Sequence, residues 1–407
     1  MQLQKFSRRG AVSGLLGLAI AAGPAWAEKK YDEGATDTEI KIGQTMPYSG
    51  PASAFVKIGQ TEAAFFQLLN EQGGINGRKI NFITLDDGYS PPKAVEMTRK
   101  LVEEDKVLFT FNQLGTANNT AIMKYMNTKK VPQLFVATGA SKFGNYKDFP
   151  FTMGWQPDYA TEGAIYAKHI QANVKDAKIG ILMQNDDFGK DYVAGFKAGL
   201  GKDAEKLIVQ FSTYEVTDPT IDSQMIQLKN SGANVFLNIS TPKFAAQAIK
   251  KAAEISWKPA HYMTNVSASF GAVFIPAGID ASQGVITAMY QKDVTDKKWE
   301  TSPDFVTWKA FMAKYMPNAD LKEQNHSYGF AAASTLVEVL KKCGDDLTRD
   351  NVMKQAASLD YTPPMLLTGI KIKTSATNFY PIRSVQLGRV TGNSVEAFGE
   401  VMSSESN

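Results

Sequence analysis

The feature that most constrains this chain is an alternation of short apolar runs with longer amphipathic stretches, sustained from residue 39 almost to residue 358. The short runs suit strands, and the longer stretches place apolar residues at helical spacing. Residues 40–44 predict a strand, 59–70 a helix ending at Gly73-Gly74, 79–85 a strand, 92–104 a helix, 107–111 a strand, 119–129 a helix and 133–137 a strand. That order is the signature of a parallel sheet with helices on both faces. Phe149-Pro150-Phe151 and Trp155-Gln156-Pro157 interrupt it, and a second series follows. It reads helix 159–172, strand 178–183, helix 188–200, strand 207–214, helix 222–230, strand 235–239, helix 242–255, then strands at 261–264 and 285–289. Helices at 303–315, 326–342 and 349–358 come next, then strand signals at 369–372 and 384–390, with hairpin-turn chemistry at Thr391-Gly392-Asn393-Ser394. A chain of 407 residues is too long for one core. The expectation is an α/β protein with two doubly wound parallel-sheet lobes, one architecture used twice. No low-complexity linker separates the lobes, so the chain is expected to cross between them several times.

Residues 1–27 read as a separate object. Lys5, Arg8 and Arg9 precede an uncharged apolar run at 11–23, and Ala25-Trp26-Ala27 has the small-residue spacing of a cleavage site. This is the pattern of a secretory signal peptide, and Ser7-Arg8-Arg9 leaves both the Sec and the twin-arginine (Tat) route open. Its removal takes away three positive charges and no negative one, so the formal charge of +3 becomes 0. The remaining chain has no basic excess to recruit nucleic acid and no further apolar run long enough to span a bilayer. The single cysteine, Cys343, cannot form a disulfide within the chain and reads as a small core residue. A periplasmic location and a monomer follow as expectations.

Catalytic and metal-binding patterns are sparse. His169, His261 and His326 lie in different elements, with no second histidine at a ligand spacing. No nucleophile elbow, Walker A loop or dinucleotide fingerprint follows a strand, so no cofactor is expected and the chain does not read as an enzyme. Asp86-Asp87 reads as a loop-capping pair and Lys250-Lys251 as a solvated helix face. Ligands of open parallel sheets bind beyond the carboxyl ends of the strands. The loops there hold Tyr48 to Ser53, Gln113 to Thr116, Thr138 to Ser141, Asn185 to Gly189, Ser240 to Lys243 and Asn265 to Ser267. They are rich in hydroxyls, amides and glycines, with aromatic residues nearby at Tyr48, Phe55, Trp155, Tyr159, Phe188 and Phe270. Such a set can bind a polar head and wall an apolar body.

Several stretches carry a resemblance: I-K-I-G-Q-T-M-P-Y-S-G-P-A-S-A-F, L-N-E-Q-G-G-I-N-G-R-K-I, the Asp86-Asp87 pair, P-Q-L-F-V-A-T-G-A-S and N-D-D-F-G-K-D. In this order and spacing the chain resembles the leucine/isoleucine/valine-binding family of type I periplasmic solute-binding proteins, over nearly its whole length. The resemblance implies two lobes joined by three crossover strands, one lobe over 38–156 plus 285–365 and the other over 157–284 plus 366–407. It implies a carboxylate grip by Gly139, Ala140 and Ser141 together with Gly115 and Thr116. Phe55 would wall the site, and Phe188 would close over the ligand from the second lobe. Tyr48, Asn185 and Asn265 complete the expected site.

The family's amino-acid binders carry a glutamate after the proline that Pro242 matches, and this chain has Lys243 there. Two readings stay open. Either Lys243 faces the cleft and meets an anionic group, or it snorkels into solvent and another group takes its place. The first favours a small apolar or aromatic carboxylate over an α-amino acid, since a lysine repels an ammonium. The partners implied are that ligand and the inner-membrane permease and ATPase of an ABC importer. The alternatives are a branched-chain amino acid or amide binder, or a ligand-sensing receptor acting through a signalling partner.

Overall fold

The computed structural model describes residues 29–403. The expected signal peptide at 1–27 lies outside the described residues. The first sheet has five strands: β1 (Glu39–Met46), β2 (Lys79–Asp86), β3 (Phe109–Phe111), β4 (Gln133–Val136) and β5 (Thr152–Gly154), in the order β2-β1-β3-β4-β5, all parallel. The second has seven: β6 (Ile179–Gln184), β7 (Ile208–Tyr214), β8 (Val235–Ile239), β9 (Ala260–Met263), β10 (Ile286–Met289), β11 (Ser384–Thr391) and β12 (Ser394–Ser403). Its order is β12-β11-β10-β9-β8-β6-β7, with β11 antiparallel to β10 and the β11–β12 hairpin closing one edge. β6 and β8 are buried along their whole length, as parallel strands covered on both faces must be.

The helices that position the cleft loops are α1 (Val56–Glu71), α2 (Pro91–Arg99), α3 (Thr116–Lys129), α4 (Tyr159–Asn173), α5 (Asp187–Leu200), α6 (Asp222–Asn230) and α7 (Pro242–Glu254). Three late helices follow: α8 (Pro303–Tyr315), α9 (Gln324–Cys343) and α10 (Arg349–Ala356). α9 packs along α1 and carries the largest share of the first lobe's late core, including the buried Cys343. α5 begins where Asp186 accepts the N–H groups of Phe188 (3.0 Å) and Gly189 (3.3 Å), an N-cap that fixes the direction of the Phe188 ring.

Two expected lobe boundaries move downstream. β10 (286–289) pairs in register with β9 inside the second sheet, so the chain leaves that sheet after it and not at 285. Residues 372–373 pair with 360–361, and Phe379 packs on Tyr146 of the first lobe, so the last crossing falls just before β11 and not at 366. The expected helix 92–104 ends as an α-helix at Arg99 and continues as a π-turn through Glu104. The turn expected at 391–394 joins β11 to β12, which forms the edge of the second sheet.

Candidate functional site

The carboxyl edges of the two sheets face one another across a cavity with about 890 Å³ of empty space, open solvent at its mouth included. The first lobe contributes Phe55, Ile58, Tyr89, Leu114, Gly115, Thr116 and Gln156. The second contributes Phe188, Thr241, Asn265, Val266 and Met289, with Tyr159 at the junction. Tyr290, Gln291, Asp293, Asn325 and Tyr328 line the cavity as well.

Six rings wall the space: Phe55, Tyr89, Tyr159, Phe188, Tyr290 and Tyr328, all at least nine-tenths buried. Tyr159 packs edge-on to Phe188 with ring centroids 5.1 Å apart. Tyr328 donates to Gln156 Oε1 (3.2 Å), whose amide donates to the Tyr159 hydroxyl (3.3 Å). This chain fixes the tilt of two of the six rings without using a charge.

At one end Gly115 opens α3. Its φ of +100° is a conformation that residues with a side chain rarely adopt, and an added Cβ would stand 2.8 Å from the Tyr89 ring. The N–H groups of a helix's first turn have no partner within the helix, and its dipole favours negative charge there. The Thr116 hydroxyl lies 2.7 Å from that of Thr138 and lines the cavity beside those groups. This end can hold an anion with neutral donors.

Asn265 presents an acceptor from the second lobe. Buried Glu162 accepts its backbone N–H (2.9 Å) and also its side-chain amide N–H, while Tyr166 donates to the same carboxylate (2.6 Å). With the amide nitrogen turned to Glu162, Asn265 Oδ1 is left for the cavity. Thr241 is fixed by the Tyr214 hydroxyl, which accepts its N–H (3.0 Å), and by Gln184 Oε1 (3.3 Å). Gln184 also reaches the Tyr89 hydroxyl of the opposite lobe (3.4 Å). Asn325 is buried where it lines the cavity, and Gln291 Nε2 is buried without a hydrogen-bond partner among the described residues.

Asp293 is the one carboxylate among the lining residues, and no lysine, arginine or histidine lines the cavity. Its oxygens accept from the N–H (2.6 Å) and hydroxyl (2.6 Å) of Thr295 and from the N–H of Val395 (2.7 Å). Burial holds its carboxyl above the usual range against those donors.

Of the expected site residues, Phe55, Gly115, Thr116, Phe188 and Asn265 line the cavity. The rest do not, and each departure has a physical reason. Tyr48 turns its hydroxyl to Thr84 (2.7 Å). Gly139 is sealed by Pro157 and Tyr159, its carbonyl accepting the Tyr159 N–H (2.8 Å). The Ala140 N–H goes to Thr138 Oγ1 (3.2 Å), and Ser141 gives both its N–H (3.0 Å) and its hydroxyl (2.9 Å) to Asp191 Oδ2 of the second lobe. Asn185 is exposed and donates to Glu215 (2.6 Å).

Lys243 is exposed too. Its ammonium donates to the Asp218 carbonyl (2.9 Å) and lies over the Phe244 ring. The buried stripe of α7 is Phe244, Ala245, Ala248, Ile249 and Ala252, and Lys243 sits ~180° from its centre at ~100° per residue. The case against an α-amino acid ligand that rested on Lys243 therefore falls. Trp155 and Phe270 are core residues, with the Trp155 indole N–H donating to Thr335 (3.1 Å). Sequence reasoning missed Tyr89, Tyr290, Gln291, Asp293, Asn325 and Tyr328. Only Tyr89 had a local signal, since it follows the loop that closes β2.

Among the described residues no group of histidine, cysteine and acidic side chains could hold a metal, and no helix is long and apolar enough to cross a membrane. Two facing sheets with a charge-poor cavity between their carboxyl edges define a two-lobed ligand-binding fold. The family model described as periplasmic binding protein matches residues 39–394, and the chain belongs to that family. Membership makes it a ligand-binding transport component rather than an enzyme. The Leu/Ile/Val-binding protein homolog 7 of Brucella suis is 24% identical over 345 residues, covering 81% of this chain and 82% of its own. A branched-chain amino acid ABC transporter structure from Thermus thermophilus with bound valine superposes with a TM-score of 0.80 at 16% identity, covering 91% and 98%. A solute-binding protein from R. palustris in complex with 4-hydroxybenzoate gives 0.75 at 16% identity, covering 90% and 97%.

Proposed function

We propose that this chain is the periplasmic capture component of an ABC importer of the branched-chain-amino-acid type, and that its cargo is a small carboxylate with an apolar or aromatic body. It closes on that ligand between its lobes and presents the closed form to an inner-membrane permease driven by an ATPase. The reading rests on one observation above all: a cavity walled by six rings, free of cationic side chains, with a helix N-terminus at one end. An ionised carboxylate held by α3 N–H groups and the Thr116 hydroxyl needs no lysine, and the rings supply the contact area for the body. The R. palustris protein with its bound 4-hydroxybenzoate is a relative in fold that takes a ligand of this kind.

A branched-chain amino acid is the second reading, and Asp293 is the observation that favours it. A ligand ammonium beside Asp293 would find a carboxylate there, although that carboxylate already serves the Thr295 turn and the β12 strand. A thermal-shift screen of benzoates, keto acids, branched-chain amino acids and short amides separates the two. A ligand at ~100 times its Kd raises apparent stability by about 2.7 kcal/mol. The proposal expects the shift from an acid without an α-ammonium. A shift from leucine or valine alone would replace it with the second reading.

A further inference from the structure

The turn at 139–141 does not serve the cavity, although it stands at the carboxyl end of β4 where a ligand loop would be. Its donors at Ala140 and Ser141 are already used: the Ala140 N–H by Thr138, and the N–H and hydroxyl of Ser141 by Asp191. The Tyr380 hydroxyl donates to the Ser141 carbonyl and holds the turn from behind. Asp191 lies one helical turn after Asp187 on α5, and Asp187 pairs with Lys142 (2.6 Å), the residue next to Ser141. One face of a second-lobe helix thus meets one turn of the first lobe through two neighbouring carboxylates. The Lys142–Asp187 pair is more than a third exposed on both sides and so weak. The bonds to Asp191 are half-buried and converge on a single charged oxygen, the stronger kind of hydrogen bond.

We propose that Asp191 is the group through which the second lobe recognises the first on closure. It takes the Ser141 donors as an internal anion, so this turn sets the lifetime of the closed state and not the choice of ligand. In this proposal the contact forms as the lobes meet, and its free energy enters as a bias on the open–closed equilibrium. The inference does not depend on which ligand the cavity takes.

The test uses spin labels on Lys147→Cys and Ala198→Cys, one on each side of the contact, and compares the wild-type background with Asp191→Ala and Asp191→Asn. Interlobe distances are recorded in buffer and with sodium benzoate or leucine. Dissociation of whichever probe binds is followed by stopped flow. Losing two hydrogen bonds to a charged acceptor lowers the closed-to-open ratio roughly 100-fold or more. The proposal therefore expects Asp191→Ala to shift the distances to longer values and to speed dissociation by about that factor. Association and the rank order of ligands should not change. Asp191→Asn, which keeps an acceptor, should lose less, and Ser141→Ala combined with Asp191→Ala should add little to either alone. Distances that match the wild type overturn the proposal, as does a wild type with no closed population in any condition. Tighter carboxylate binding by Asp191→Ala also overturns it, because that variant would then have freed a ligand site.

Discussion

Gly115→Ala tests the geometry at the head of the cavity. Gly115 has φ +100° and ψ 135°, where any other residue costs about 1–3 kcal/mol in backbone strain. The added Cβ would stand 2.8 Å from Tyr89 Cε2 and 3.4 Å from Cδ2, so the buried ring must shift, at a further cost of about 1–3 kcal/mol. The two sum to about 2–6 kcal/mol, on the order of 4–12 °C in Tm at ~2 °C per kcal/mol. Gly232→Ala is the control. Its φ is +75°, but nothing lies within 4 Å of an added Cβ, so it carries the strain without the clash and should cost about 1–2 kcal/mol. Urea unfolding gives both stabilities, and calorimetry gives ligand affinity. Gly115→Ala should be the less stable of the two by at least ~1 kcal/mol, and it alone should weaken binding by about tenfold or more, since Tyr89 walls the cavity. Equal stability losses with unchanged affinity would refute the close approach of Gly115 to Tyr89.

Two further predictions use groups away from the lobe contact. Glu62 on α1 is fully buried, with one oxygen accepting from Gln44 (2.5 Å) and the other unpartnered, and burial holds its carboxyl well above the ordinary range. A raised folded value means stability that is present below the unfolded carboxylate range and lost as pH rises through the folded one, at up to about 1.4 kcal/mol per pH unit. Glu62→Gln should remove that slope in urea titrations from pH 5 to 8, and parallel wild-type and variant curves would reject it. Burial pushes the Cys343 thiol up to about 12, so a disulfide reagent at pH 8 should label the native chain only after unfolding. Labelling of the folded chain within minutes would contradict the packing of α9.

The fold was legible because strand and helix periodicity is local. β8, α7 and the 391–394 turn sit where their residues place them, and both lobes follow from the repeated rhythm. The lobe boundaries were less legible, because β10 and the 372–373 strand are assigned by pairing partners far away in the chain. The site divided along the same line. Gly115, Thr116 and Phe188 sit at a helix start after a strand, a position the sequence marks. Asn325 and Tyr328 reach the cavity through the packing of α9 against α1, and Asp293 through a loop after β10 that is tied to Val395 of β12, which no local pattern encodes. Lys243 was readable, since the apolar stripe of α7 puts it on the opposite face. Ser141 was not readable, because its partner Asp191 belongs to the other lobe.

The proposed function has the cavity select a carboxylate with a ring-sized apolar body, without a working ammonium site. Titration calorimetry of 4-hydroxybenzoate and of leucine, each against wild type and Asp293→Asn, measures it most directly. The account predicts that the acid binds, that leucine binds at least about a hundredfold more weakly, and that Asp293→Asn changes the acid's affinity by no more than a few-fold. Tight leucine binding that collapses in Asp293→Asn would contradict it.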